Sequence, residues 1–137
     1  STFYIELLGY LHDLSEDLTY LAKISYDHAN NNHRKLTFAQ IKELLLIEES
    51  IKKIFKEGKE AFHSGQDQSE FEEVLLEKNS AFELIESKIN TQIERTRDEE
   101  TSPKNTTLYF NILIRTKDLI THKFELVEKY YGVVKKL

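Results

Sequence analysis

A chain of 137 residues has room for one sizeable core, and with only 4 Gly and 1 Pro it lacks the turn formers of a β protein. Its 24 acidic residues outnumber its 19 basic ones, for a net charge of −5 without a basic cluster. That makes nucleic acid, or an anionic membrane held by charge alone, a poor partner, and the absence of Cys excludes disulfides, thiolate metal sites and Cys nucleophiles.

The first helix is expected from about Thr2 to Asn30. Tyr4, Leu7, Leu11, Leu14, Leu18 and Leu21, continued by Ser25 and His28, alternate steps of three and four, which lines one apolar seam along a helix packed lengthwise in a bundle. The polar run from Asn30 to Lys35 ends it, because Asn competes for backbone hydrogen bonds and tolerates the left-handed conformation. His28 falls in the last turn, where a histidine caps carbonyls or serves as a ligand; His33 lies in the following loop. Thr37 is the expected N-cap of the second helix, with Gln40 completing a capping box. That helix carries Ile41, Leu44, Ile47, Ile51, Ile54, Phe55 and Phe62 on one face and stops at Ser64-Gly65.

Asp67 or Ser69 caps the third helix, where Glu70, Glu72 and Glu73 suit the positive end of its dipole. Its apolar face reads Phe71, Val74, Leu75, Phe82, Ile85, Ile89 and Ile93. The fourth helix is expected from Asn105 or Thr106, after Pro103. Its stripe is wide: Tyr109, Leu113, Ile120, Phe124, Val127, Tyr131 and Val134, flanked by Leu108, Ile112, Leu119, Leu126 and Tyr130. Such width implies burial on more than one side, or a second surface for a partner. Four helices of about 28 residues, each about 40 Å long, joined by short loops, give an all-α, antiparallel up-down-up-down four-helix bundle as a single domain over 1–137. No apolar run reaches the length of a membrane span and no signal-peptide pattern opens the chain. The heptad begins almost at the first residue and there is no initiator Met, which points to a piece of a longer protein.

Chemistry-bearing residues are few. His12/Glu16 and Asp13/Asp17 are i, i+4 pairs of the kind that stack metal ligands on one helical face. By the heptad, His12, Asp13 and Glu16 point away from the seam, with Asp17 at its edge, so the face reads as solvated and acidic. Glu60-Ala61-Phe62-His63 is the single Glu-x-x-His, where a di-iron bundle needs two. Asp118/His122 also has ligand spacing but projects opposite the stripe of the fourth helix, as surface residues would. Glu48, Lys78 and Lys123 interrupt apolar faces near mid-bundle, which predicts a Glu48–Lys78 or an Asp17–Lys123 contact, or else lysines that snorkel to solvent. There is no Gly-rich phosphate loop, nucleophile motif or inward carboxylate cluster, so no enzyme, no metal and no cofactor is expected. A histidine-phosphotransfer bundle needs an exposed mid-helix His among basic residues, and His12 sits among acids.

Two stretches carry a family resemblance. Tyr10-Leu11-His12-Asp13 through Asp27-His28-Ala29-Asn30-Asn31-Asn32-His33 resembles the start of the cytosolic PhoU-like domain attached to bacterial phosphate transporters. There a histidine is followed shortly by Asn-Asn-His and a basic residue; Asn31-Asn32-His33-Arg34 matches, with His28 at the corresponding distance. Thr106-Thr107-Leu108-Tyr109-Phe110-Asn111-Ile112-Leu113, then Lys117-Asp118-Leu119 and His122, is similar to that domain's last helix. The lengths and order of the intervening helices agree as well. The resemblance implies a carboxy-terminal cytosolic appendage of a sodium- or proton-coupled inorganic phosphate transporter, a regulator on the cytoplasmic face of the cell membrane. Its expected partner is the transporter's membrane domain or a second copy in a homodimer, docked on an exposed part of the fourth-helix stripe. Some of that superfamily bind metal clusters through repeated Glu/Asp-x-x-x-Asp motifs; Asp13-x-x-x-Asp17 is the one match here. The alternative is a metal-binding bundle that stores or senses iron or zinc.

Overall fold

Thr37 and Gln40 start the second helix by satisfying each other: the Thr37 N–H donates to Gln40 Oε1 at 2.9 Å and the Gln40 N–H donates to Thr37 Oγ1 at 3.2 Å. In this computed structural model, which describes residues 5–6, 8–9, 11–13, 15–17, 19–20, 23, 36–63, 68–98 and 101–136, that helix runs Phe38–His63 (α2). It is preceded by α1, helical at its described positions between 5 and 23, and followed by α3 at Gln68–Asp98 and α4 at Pro103–Lys136. The described residues are all-helical apart from short connections and contain no strand. Asn30 to Lys35, and with it His28 and His33, lies outside the described residues.

α4 begins earlier than its sequence implies. Ser102 caps it, its Oγ accepting from the Asn105 N–H at 3.5 Å and its carbonyl from the Thr106 N–H at 3.0 Å. Pro103 is the first helical residue, where its fixed φ suits the helix and its missing N–H would have had no partner. Of the two caps expected for α3, Asp67 is outside the described residues and Ser69 lies within the first turn.

The contacts divide the chain into two compact units, residues 34–109 and residues 1–33 with 110–137. In the first, α2 packs against α3. Gln40 meets Gln92 at one end and Lys53 meets Glu77 further along, so the two helices are antiparallel. Ile47 and Ile54 of α2, and Val74, Ala81 and Ile85 of α3, are buried. Each of the larger side chains contributes roughly 1.5–3 kcal/mol by leaving water. The α2 face is turned from its expected position, because Gln40 and Glu43 are buried while Ile41 is 45% exposed. On α3, Gln92 takes the inward place and Ile93 is 42% exposed.

In the second unit, α1 runs antiparallel to α4: Glu6 pairs with Lys129 at 2.6 Å, and Asp17 with His122 and Arg115 nearer the start of α4. On α4, Leu113, Ile120 and Phe124 of the expected stripe are buried, with Thr116 about 60° from them. Arg115, His122 and Lys129 stand about 180° round the helix from that stripe at 100° per residue, and the buried Leu119 is about 60° from His122, so α1 lies along a face of α4 that mixes charge with an apolar edge. The width of the α4 stripe had left burial on a second side open. A second contact exists, and charged pairs run along it beside the buried Leu119.

Candidate functional site

Glu6, Asp13, Asp17 and Tyr20 recur on α1 at steps of seven, four and three, which is one face of a helix. Across from them Arg115, His122 and Lys129 recur on α4 at steps of seven. An acidic row therefore meets a basic one. Asp17 is its centre and is 2% exposed. Its Oδ1 accepts from Arg115 Nη1 at 3.1 Å and its Oδ2 faces His122 Nδ1 at 2.6 Å. A carboxylate only accepts, so Nδ1 carries the proton and donates, which fixes the imidazole tautomer. The Arg115 guanidinium also lies over the Tyr20 ring, 3.9 Å from its centroid, and so holds α1 through both charge and stacking.

The electrostatics follow from that geometry. The hydrogen bond from Arg115 to Asp17 outweighs desolvation and keeps the guanidinium charged, its pKa raised. At His122 burial acts downward, but the hydrogen bond and charge of Asp17, with the charges of Asp13 and Glu125, prevail and raise the imidazole pKa. Burial lowers the pKa of Lys123.

Several sequence-based expectations change here. His122 is no bare surface residue: it leaves Asp118 for a bond across to α1, and the polar face of α4 that carries it is a packing face. The expected Asp17–Lys123 contact is replaced by Asp17–Arg115 and Asp17–His122. Glu48 is exposed and pairs with Lys52 at 2.9 Å, one turn along its own helix, rather than with Lys78, whose ammonium sits 5.4 Å from the Phe82 ring centroid. His12 and Glu16 do form their i, i+4 pair, at 3.1 Å and well exposed. Asp13 and Asp17 share a helical face, and the two oxygens of Asp17 face Arg115 and His122. Among the described residues no three His, Asp or Glu side chains converge as metal ligands. The side chains of Glu60 and His63 lie outside the described residues.

A second cluster occupies the other unit, where α2 and α4 begin and α3 ends. Gln40 Nε2 donates to Gln92 Oε1 at 3.2 Å and to Asn105 Oδ1 at 2.8 Å, while Asn105 Nδ2 donates back to Gln40 Oε1 at 3.0 Å. Gln92 Oε1 also accepts from Arg95 Nη1 at 3.1 Å, and Gln92 Nε2 donates to Thr106 Oγ1 at 3.4 Å. Arg95 Nη2 binds Glu43 Oε1, and the Tyr109 hydroxyl donates to Glu43 Oε2 at 3.0 Å. Burial first, and then the Glu43 carboxylate, raise the Tyr109 pKa.

Against protein-family models, curated proteins and solved structures, the chain matches none.

The outer face of α2 is of a different kind. Phe38, Ile41 and Leu45 are 84%, 45% and 54% exposed and fall within about 60° of one another round the helix, opposite the buried Ile47 and Ile54. Sequence reading gives Ile41 to the core and seeks the exposed apolar surface on α4, where, among the described residues, Ile114 is more than half exposed. The missed signal is the box itself. Once Gln40 both caps the helix and turns inward, Ile41 and Leu45 must turn out.

Proposed function

We propose that this chain is a non-catalytic, cytosolic regulatory domain of a bacterial inorganic phosphate transporter, a PhoU-like up-down-up-down four-helix bundle that works by contact. Its place is the cytoplasmic face of the cell membrane, as part of an integral membrane protein with a sodium- or proton-coupled membrane domain as its partner. Support comes from the resemblance of Asn31-Asn32-His33-Arg34 and of Thr106 through His122 to that family, and from helices of matching order and length. The observation that carries the contact role is the α2 row Phe38, Ile41 and Leu45, an apolar strip held away from the core on a helix whose inner face is already packed. No helix among the described residues is long and apolar enough to cross a membrane; the spanning helices in this proposal belong to the rest of the parent polypeptide.

The test is made in the native cell. The polypeptide carrying this sequence is located by fractionation, and uptake of labelled phosphate is compared between wild type and a Phe38→Ser, Leu45→Ser variant. An integral membrane polypeptide longer than 137 residues, with altered uptake or altered response to phosphate supply in the variant, supports the proposal. A protein that partitions with the soluble fraction, and whose deletion leaves phosphate uptake unchanged, overturns it.

A further inference from the structure

The contact between α1 and α4 is held by groups that titrate. We propose that His122 makes it a proton-operated latch, tightest when the imidazole is charged and looser once it is neutral. The argument begins with Asp17, a buried carboxylate with one permanent cation, Arg115, and one conditional cation, His122. Loss of the proton from His122 leaves the Nδ1–H still donating to the Oδ2 carboxylate oxygen, so the hydrogen bond survives with one charged partner instead of two, and the attraction between imidazolium and carboxylate is lost. Three carboxylates face His122 among the described residues, Asp17 and Asp13 from α1 and Glu125 from α4 itself, and all three favour imidazolium; the Arg115 guanidinium, on the other oxygen of Asp17, is a cation that opposes them. Two of the carboxylates belong to α1, so moving α1 away removes most of what favours the proton. Glu6–Lys129 lies further along the same seam.

The direction of the linkage follows. The folded His122 pKa is raised above its ordinary 6.5. Its contribution is fully present below 6.5 and is lost as pH rises through the raised folded value, so α1 loosens as pH rises through that value and closes on acidification. The latch rests on α1 and α4 and not on the contact proposed for α2.

Two measurements on the 137-residue chain test this together. Imidazole resonances are titrated by NMR in the wild type, Asp17→Asn and His122→Asn; the last assigns His122 by removing its signal, and its Nδ2 keeps a donor where Nδ1 stood. Amide exchange of α1, corrected for intrinsic rates, is followed from about pH 5.5 to about pH 8.5. The expected result is a His122 midpoint above 6.5 that falls back in Asp17→Asn. Relative to His122→Asn, wild-type α1 then opens less often at the acid end than at the alkaline end, by a factor of ten raised to the NMR shift. A midpoint at or below 6.5, or the same pH dependence of α1 exchange in wild type and His122→Asn, overturns the latch. Should His122→Asn fail to fold, the wild-type midpoint and its change in Asp17→Asn decide.

Discussion

Replacing Glu43 by Leu separates two costs that the second polar cluster holds together. The first falls on Tyr109, which is 0% exposed and whose hydroxyl donates to Glu43 Oε2. Without that acceptor a buried donor is stranded, at about 1–3 kcal/mol. The second falls on Arg95, whose side chain is 22% exposed and keeps Gln92 Oε1 as an acceptor. Breaking a fully buried pair costs about 3–5 kcal/mol, but a guanidinium that still reaches solvent recovers most of that, leaving roughly 1 kcal/mol. Together Glu43→Leu is expected to destabilise by about 2–4 kcal/mol.

Tyr109→Phe alone removes a hydrogen bond to a charged acceptor, at about 1.5–3 kcal/mol. In the double variant the stranded hydroxyl is gone, so the two losses do not add. The cycle is read by urea unfolding followed by far-UV circular dichroism, with a coupling energy of about 1–3 kcal/mol expected. Additivity within about 0.5 kcal/mol would refute the reasoning. So would a Glu43→Leu variant that costs less than about 1 kcal/mol.

Three further outcomes follow from the same contacts. Thr37→Ala removes the Oγ1 that accepts from the Gln40 N–H, while the backbone N–H of residue 37 can still donate to Gln40 Oε1, and is expected to cost about 1 kcal/mol, measured by urea unfolding; Gln40 stays anchored by Asn105, so a loss of helix content beyond the first turn would contradict this. At alkaline pH an unfolded tyrosine ionises near 10.0 while Tyr109 retains its proton. Its contribution is therefore intact below that value and lost above it, by up to about 1.4 kcal/mol per pH unit, and stability measured against pH in Tyr109→Phe should lack that one-proton slope. Phe38→Ser changes a side chain that is 84% exposed, so unfolding should move by no more than about 0.5 kcal/mol while any association through this face weakens; a large loss of stability would place Phe38 in the core.

What the sequence discloses about this fold is mostly apolar. Val74 and Ile85 on α3, and Tyr109, Leu113, Ile120 and Phe124 on α4, sit inward where their spacing puts them, and Thr37 with Gln40 forms the cap that the S/T-x-x-E/Q pattern implies. Polar residues at inward positions are where the pattern fails. Gln40, Glu43, Gln92 and Asn105 read as surface by binary pattern, and their burial is acceptable only because Gln40 meets Gln92 and Asn105 and Glu43 meets Arg95 and Tyr109, across separations of 52 to 66 residues, which no local window detects. Asp17 and His122 are 105 residues apart for the same reason. One signal was available: Arg115, His122 and Lys129 repeat every seven residues, as do Glu6, Asp13 and Tyr20, and two such rows of opposite sign on long helices are a pairing code. The signal is easily overlooked because the basic row lies opposite the apolar stripe, where solvent is the default expectation.

The division of labour between these residues bears on what α2 is for. Apolar stripes decide which faces meet, but a helix can turn by some tens of degrees or slide by a turn and still bury much of the same area. Buried polar groups are less forgiving, because each lost partner costs about 1–3 kcal/mol. Gln40 has bonds to Thr37, Gln92 and Asn105, and Glu43 to Arg95 and Tyr109. Rotating α2 to bury Ile41 and Leu45 would carry both side chains away from those partners. Burying two aliphatic side chains would return roughly 3–6 kcal/mol at most, less what they already bury, against several stranded groups including an ion pair. The polar cluster therefore fixes the rotation of α2, and the outward row of Phe38, Ile41 and Leu45 is a consequence of that fixed rotation rather than of loose packing. The contact proposed for this domain rests on that outward row.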